Sequence, residues 1–176
     1  AKSGDRCAKS MFFYEISHTY RHFLDFFRIF AAKIKMVEME YNKNIVGRRY
    51  EQEVLHACVE STRAEFIAVY GRRRIGKTFL VKQFFNDTFD FYTTGVYQVS
   101  KAEQLRTWQE QLRKYSGVKR NKPKDWFEAF GQLEEFLETK REQDHIIIFI
   151  DELPWLDTPK SNFIRALELF WNSWAS

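Results

Sequence analysis

The sequence predicts an α/β fold with a mainly parallel sheet. A short apolar run over residues 65–70 is followed at once by a loop containing glycine and arginine, and then by a helical pattern over residues 77–86. A second apolar run, residues 145–150, is hydrophobic on both faces, which is typical of a strand buried in a parallel sheet. Two helical patterns with charged outer faces, residues 101–115 and 125–141, precede this second run. Helical segments between strands are the usual connections of parallel strands, so these observations together favour an α/β fold.

The other predicted elements begin near residue 41. Residues 50–61 show a helical pattern with apolar side chains on one side, and residues 89–93 are typical of a second strand. Ser100 is placed to cap the following helix, with Glu103 three residues later as in a capping box. A last helical pattern covers residues 161–174. The region from residue 41 onward therefore reads as one orderly domain.

The composition is that of a folded globular chain. Of its 176 residues 44% are hydrophobic, 30% are charged and 18% are aromatic, and the net charge of +4 comes from 28 basic and 24 acidic residues. This near balance permits a nucleic-acid partner without requiring one. No apolar run reaches the 18 or more residues of a membrane span, so no membrane partner is expected. Cys7 and Cys58 lie far apart and form neither a zinc-binding pair nor a disulfide framework, which favours a cytoplasmic protein.

Residues 1–40 differ from the rest of the chain and are treated as an extension to a domain covering residues 41–176. Aromatic side chains are scattered through this extension, and four of them would lie on one face of a helix: Phe23, Phe26, Phe27 and Phe30. Three interpretations stay open: an amphipathic packing helix, a helix on a membrane surface, or an over-extended gene start without function. The third arises because the chain starts with Ala1, whereas Met36 and Met39 lie just before the first domain signal.

The loop after the first predicted strand has the pattern of a phosphate-binding loop. Residues 71–78, GRRRIGKT, match G-x-x-x-x-G-K-[ST] without departure. Such a loop surrounds phosphates with backbone N–H groups, while its lysine reaches the β- and γ-phosphates and its hydroxyl residue ligates magnesium. The predicted nucleotide-binding residues are Gly71, Arg72, Arg73, Arg74, Ile75, Gly76, Lys77, Thr78 and Phe79. The three arginines either add positive potential at the nucleotide or are ordinary solvated loop residues.

A pair of carboxylates follows the second apolar strand. Asp151 ends the run IIIFID and Glu152 comes directly after it. Asp151 is predicted to hold magnesium together with Thr78, and Glu152 to polarise the water that attacks the γ-phosphate. Lys77 and Glu152 are therefore the predicted catalytic residues. The stiff turn that follows, from Pro154 to Pro159, either holds the pair in place or serves as a lid.

These motifs together resemble those of a known family. With the segments IVGRRYEQEVL and DELPWLDTPKS, they resemble the archaeal-type ATPases of the STAND branch, related to AAA ATPases, over residues 41–176. The resemblance implies a three-layer P-loop NTPase fold of the ASCE or AAA-like type, ATP and Mg²⁺ as ligands, and a nucleotide-driven switch. It also implies that Val46, Gly47 and Arg48 contact the adenine base, although Arg49 stands where such segments often carry Glu.

The resemblance further implies that the domain is incomplete at its C-terminus. Relatives continue into a sensor strand and further domains, and the sensor strand lies between the phosphate-loop strand and the acidic strand. Without it, both of these strands are expected to lack backbone partners. The implied partners are ATP, the missing C-terminal domains, and a nucleic-acid or protein effector. Two other functions stay open: a nucleotide-binding module without effective hydrolysis, and a small-molecule kinase, which the position of Glu152 disfavours.

Overall fold

The computed structural model describes residues 9–16, for their backbone, and residues 42–175. Within these ranges the chain is a mixed α/β structure with a small parallel sheet. The elements are β1 Lys9–Ile16, α1 Arg49–Glu60, β2 Glu65–Tyr70, α2 Lys77–Phe84, β3 Phe91–Thr94, α3 Lys101–Ser116, α4 Trp126–Glu138, β4 His145–Asp151, a 3₁₀ turn Leu153–Trp155, α5 Phe163–Phe170 and a π-helical turn Trp171–Ala175.

The predicted helices and strands from residue 41 onward are confirmed, with differences at their ends. The capping box of α3 is present, because Ser100 Oγ accepts a hydrogen bond from the Glu103 amide at 3.3 Å and Glu103 Oε2 accepts one from the Ser100 amide at 2.9 Å. Helix α2 ends at Phe84, before Asn86, whose φ of 51° does not continue a right-handed helix. Helix α5 begins at Phe163, since its N-cap Asn162 has a φ of 60°.

The sheet has the strand order β2-β1-β4-β3, and every pair is parallel. Strand β1, from the N-terminal extension, lies between β2 and β4, with Phe13 opposite Ile67 on one side and Phe149 on the other. The expectation that β2 and β4 would lack a partner between them is wrong for this sheet, because β1 pairs with both along its length. The helical pattern containing Phe23 and Phe30 falls outside the described residues.

Two hydrophobic clusters lie on opposite faces of the sheet, because successive side chains of a strand point to opposite sides. We call the first the large cluster; it joins Ile146, Ile148 and Ile150 of β4 to residues of α3, α4 and α5. We call the second the small cluster; it joins Phe149 of β4 to residues of α1 and α2. The large cluster includes the fully buried side chains Trp108, Trp126, Leu133 and Phe163, whereas the buried members of the small cluster are Ile45, Leu55, Leu80, Val81, Phe89 and Phe149.

The predicted site lies at the edge of the sheet where the parallel strands have their carboxyl ends. Parallel strands end on the same side, so the segments after β2, β3 and β4 meet there. These segments are the glycine-arginine loop, the segment from Gly95 and the Asp151-Glu152 pair. None of the helices in the described ranges is both long and apolar enough to cross a membrane.

Candidate functional site

The loop between β2 and α2 takes a conformation that requires glycine. Gly76 caps the N-terminus of α2 with a φ of 82°, a left-handed conformation that costs glycine little. A Cβ atom on Gly71, whose φ is 150°, would lie 2.8 Å from Ile75 Cδ1. Arg74 also has a positive φ, 62°, although it is not glycine. The loop is therefore wound tightly, and it leads directly to a helix N-terminus, where backbone N–H groups lack intrahelical partners.

Lys77 is buried beneath this loop. Only 4% of the residue is exposed, and its ammonium donates hydrogen bonds to the carbonyl oxygens of Gly71, at 3.2 Å, and Arg72, at 2.8 Å. A buried ammonium needs hydrogen-bond acceptors, and these two carbonyl oxygens supply two of them. An anion bound in the loop would stabilise this ammonium further.

The two sequence motifs meet in a hydrogen bond between Thr78 and Asp151. Thr78 Oγ1 donates to Asp151 Oδ2 at 3.1 Å, across 73 positions of sequence. Asp151 is 5% exposed, and its other oxygen, Oδ1, accepts a bond from the Glu152 amide at 2.9 Å. A hydroxyl and a carboxylate beside a phosphate loop are the donors that Mg²⁺ uses when phosphates and water complete its shell. Among the described residues, no group of three or more His, Cys, Asp or Glu side chains could hold a metal ion.

Glu152 and its neighbour Asp151 have different side-chain partners. The Oε2 atom of Glu152 accepts a hydrogen bond at 2.9 Å from the indole Nε1 of Trp155, whereas Asp151 accepts from Thr78. The backbone of Glu152 is left-handed, with φ 48° and ψ 40°, which is unusual for a residue other than glycine. Strained backbone is a frequent property of functional residues, and here it lies at the second of two adjacent carboxylates.

The turn after β4 is held by two residues that sequence reasoning missed. Gln104 is fully buried, and its side-chain amide donates at 2.7 Å to the carbonyl oxygens of both Val96 and Trp155. Gly95 leaves no room for a side chain, since a Cβ atom there would lie 2.4 Å from the Glu152 carbonyl oxygen. Gly95, at the end of the segment FYTTG, could have indicated a close approach of two backbone segments, because glycine has no side chain. Nothing in the sequence around Gln104 indicated that this side chain is buried and holds the turn.

Tyr92 on β3 also lies beside the acidic strand. Burial, and then the negative charge of Asp151, raise the pKa of the Tyr92 phenol well above its ordinary value. A side-chain hydrogen bond with Asp151, in which the phenol O–H is the donor, contributes to the raised pKa. Sequence reasoning assigned Tyr92 to a strand and did not connect it with the site.

The segment before α1 contacts the phosphate loop through Arg48. Its Nη2 atom donates to the Ile75 carbonyl oxygen at 2.5 Å, and Nη1 pairs with Glu51 Oε1 at 3.2 Å. Val46 is 92% exposed, although Ile45 beside it is buried in the small cluster. The predicted adenine-binding segment is thus tied to the loop, and it presents an apolar side chain to solvent.

A cleft of about 540 Å³ opens between the loop and the acidic turn. Its lining contains seven predicted site residues, namely Arg73, Arg74, Gly76, Lys77, Thr78, Phe79 and Glu152. The other seven predicted residues lie outside this lining. Five of them are joined to the loop or to Thr78 by hydrogen bonds: Gly71 and Arg72 accept from Lys77, Ile75 accepts from Arg48, and Asp151 accepts from Thr78. Val46 and Gly47 are connected to the site only as the chain neighbours of Arg48.

Comparisons with known proteins identify the family of this chain. The profile of a family described as an ATPase domain, predominantly from Archaea, matches residues 45–172. An uncharacterised protein from Methanocaldococcus jannaschii is 30% identical over 123 residues, which make up 70% of this chain and 25% of that protein. The chain thus spans about a quarter of the length of that relative. No solved structure matches the chain significantly. Because the family match covers most of the chain and contains both the loop and the acidic pair, the chain belongs to the family of ATPase domains found predominantly in Archaea.

Proposed function

We propose that this chain is a magnesium-dependent ATP-binding and ATP-hydrolysing domain of the AAA and STAND type, built as a three-layer P-loop fold. The observation that carries the proposal is the hydrogen bond at 3.1 Å between Thr78 Oγ1 and Asp151 Oδ2. It joins the end of the phosphate loop to the end of the acidic strand, which is the arrangement required to hold a metal ion against a nucleotide phosphate.

The loop residues bind and orient the phosphates. Backbone N–H groups of the loop and of the first turn of α2 direct positive charge into the cleft, and the Lys77 ammonium adds its own positive charge. The exposed side chain of Val46 would pack against the base, while Arg48 connects that segment to Ile75 in the loop. Because base and phosphate contacts are joined, this connection supports a nucleotide-driven switch.

Hydrolysis needs a base near the attacked phosphate. Glu152 lines the cleft that contains Lys77 and Thr78, so its carboxylate can accept the proton of a water molecule. The water oxygen then bonds to the γ-phosphorus as the bond to the leaving ADP oxygen breaks, and Lys77 stabilises the charge on the phosphate oxygens. Bound Mg²⁺, held by Thr78 and Asp151, supplies further stabilisation of that charge.

A second function is favoured by the contact between Glu152 and Trp155. The Oε2 atom of Glu152 already accepts a hydrogen bond from the indole N–H of Trp155, so the carboxylate is a weaker acceptor for the proton of a water molecule. A nucleotide-binding module without effective hydrolysis is therefore the alternative. An effector, either nucleic acid or protein, and further C-terminal domains remain proposed partners, because the chain covers a quarter of its relative.

The experiment compares thermal unfolding of the parent and of Lys77→Ala with and without Mg-ATP. Ligand at a hundredfold over its dissociation constant should stabilise a binding chain by about 2.7 kcal/mol. The parent should shift and Lys77→Ala should not, whereas Lys114→Ala, which removes an exposed lysine of α3, should shift like the parent. An equal shift in Lys77→Ala would contradict the phosphate-loop assignment.

Turnover of Glu152→Gln separates hydrolysis from binding alone. A hydrolysing domain should lose ATP turnover by about a hundredfold or more in this variant, because the general base is gone, while the thermal shift is kept. If the parent shows the shift but no turnover above that of Glu152→Gln, the chain is a binding module.

A further inference from the structure

We propose that Trp155 is a positioning residue that orients the Glu152 carboxylate and makes its orientation sensitive to what occupies the phosphate loop. The proposal rests on the proposed function, since it gives a role to the side chain assigned there as the base. Trp155 lies three positions after Glu152, in the turn that follows the acidic pair.

The backbone of the turn from Glu152 to Trp155 has little freedom. The Trp155 amide donates to the Glu152 carbonyl oxygen at 3.0 Å, and the Trp155 carbonyl accepts from buried Gln104 at 2.7 Å. Gly95 packs against the same turn, and its amide donates to the Asp151 carbonyl oxygen at 2.9 Å. Because the backbone is held from three sides, the direction of the Glu152 carboxylate depends on its side-chain torsions alone.

The indole of Trp155 is the contact that sets those torsions. Its Nε1 donates to Glu152 Oε2 at 2.9 Å, a hydrogen bond to a charged acceptor. The same ring packs against Tyr97 in a T-shaped arrangement, with ring centroids 4.5 Å apart and planes at 81°. The ring thus has an aromatic neighbour while its one polar atom holds the carboxylate.

The face of the indole contacts the phosphate loop. The Arg73 guanidinium carbon lies 5.6 Å from the ring centroid, within the range of a cation–π interaction. Arg73 also lines the cleft together with Lys77 and Thr78. A phosphate is a stronger partner for a guanidinium than a ring face, so a bound nucleotide would draw Arg73 from the indole. The ring, and with it Glu152, would then respond to the phosphates.

The first test is the indole N–H signal in a nitrogen–proton NMR spectrum of the nucleotide-free chain. Loss of one signal in Trp155→Phe assigns it. That signal should move strongly in Glu152→Ala, which removes the acceptor, and the other indole signals should stay in place. An unchanged Trp155 signal in Glu152→Ala overturns the proposal, and this outcome does not depend on whether the chain hydrolyses ATP.

The second test adds Mg-ATP to the parent, to Arg73→Ala and to Arg165→Ala, which removes the same charge from an exposed position of α5. The Trp155 signal should move in the parent and in Arg165→Ala and should respond much less in Arg73→Ala. Thermal shifts measured on the same samples report whether each variant still binds. A full response in Arg73→Ala that has bound Mg-ATP overturns the coupling.

The third test separates positioning from a merely structural role. Trp155→Phe keeps the ring and removes the donor, so the dissociation constant for Mg-ATP should stay within about twofold while kcat falls by about tenfold to a hundredfold. In a Glu152→Gln background the same change should cause no further loss. Equal losses in both backgrounds, or a loss confined to binding, would contradict the positioning role.

Discussion

The two faces of the sheet differ in how completely they are packed, and the candidate site lies where they meet. On one face, α3, α4 and α5 form the large cluster, in which Trp126, Leu133 and Phe163 are fully buried. On the other face, α1 and α2 form the small cluster, and several of its apolar members, including Phe84 and Phe85, are only partly buried. Buried apolar area is the main source of stability, so the first face should be the more resistant to local opening.

This difference divides the site into two halves. We call the half next to the large cluster the firm half, and the half next to the less buried small cluster the yielding half. The turn carrying Glu152 is joined to the large cluster through Leu153 and Leu156. The phosphate loop leads into α2, whose Leu80 and Val81 belong to the small cluster, and Arg48 lies three residues after Ile45 of the same cluster. A nucleotide that orders the yielding half against the firm half would shift the conformation of the domain, which suits a switch.

The same substitution on the two faces tests this comparison most directly. Phe163→Ala removes a fully buried ring whose centroid lies 4.8 Å from that of Trp126. This substitution should lower the free energy of unfolding by about 4–5 kcal/mol. Phe89→Ala, in the small cluster, removes a ring that is 8% exposed and should lower the free energy of unfolding by about 3 kcal/mol. Urea unfolding measures both free energies. Equal losses, or a larger loss for Phe89→Ala, would show that the small cluster is as well packed as the large one.

Strand β1 lies inside the sheet between β2 and β4, so disrupting its backbone pairing should destabilise the packing on both faces of the sheet. Phe13→Pro removes a backbone donor from a strand with a neighbour on each side, and it should lower the free energy of unfolding by about 1–3 kcal/mol. Phe13→Val keeps the backbone donor and a side chain suited to strands, so it is the matched control. If Phe13→Pro unfolds like Phe13→Val, β1 does not pair in the sheet in solution.

Two glycine substitutions compare a position packed against the site, Gly95, with a position in helix α4 on the face of the large cluster, Gly131. Gly95→Ala would place its Cβ against the Glu152 carbonyl oxygen, so we expect a loss of about 1–3 kcal/mol and slower ATP turnover. Gly131→Ala lies within α4, and nothing is within 4 Å of its added Cβ. It should therefore gain about 0.5–1 kcal/mol from helix propensity. Thermal unfolding and turnover of both variants check this, and a neutral Gly95→Ala would contradict the close packing of the turn.

The smallest expected effect concerns the charge at Asp157, next to the large cluster. Burial raises the pKa of the Asp157 carboxyl above its ordinary value, although a hydrogen bond with Ser161 opposes the shift. A raised pKa in the folded state means that stability falls as pH rises from the ordinary aspartate range through the folded pKa. Asp157→Asn should therefore be slightly more stable than the parent at pH 7, and the difference should vanish below about pH 4. Melting temperatures across this pH range check it, and an advantage that persists in acid would exclude ionisation as the cause.

Much of this molecule was predictable because its signals are local. The loop with Gly71 and Gly76 could be found from spacing, since only glycine adopts the φ of 82° at Gly76 without strain. The apolar run before Asp151 indicated a buried strand, and β4 covers it. The family match over residues 45–172 confirms the resemblance to archaeal-type ATPase domains. Nothing local indicated that β1 would lie between β2 and β4, because strand order depends on contacts far apart in sequence.

By itself, then, the sequence determined the elements from residue 41 onward, the phosphate-loop pattern and the acidic pair, because each depends on backbone conformation or hydrophobic periodicity within a few residues, whereas strand β1 was not predicted. Only the tertiary structure decided how these parts meet. The Thr78–Asp151 hydrogen bond, the approach of Gly95 to Glu152 and the placing of Trp155 against Arg73 each join residues from different elements. The packing of helices on the two faces of a parallel sheet brings such residues within a few ångströms, and no periodicity along the chain encodes those distances.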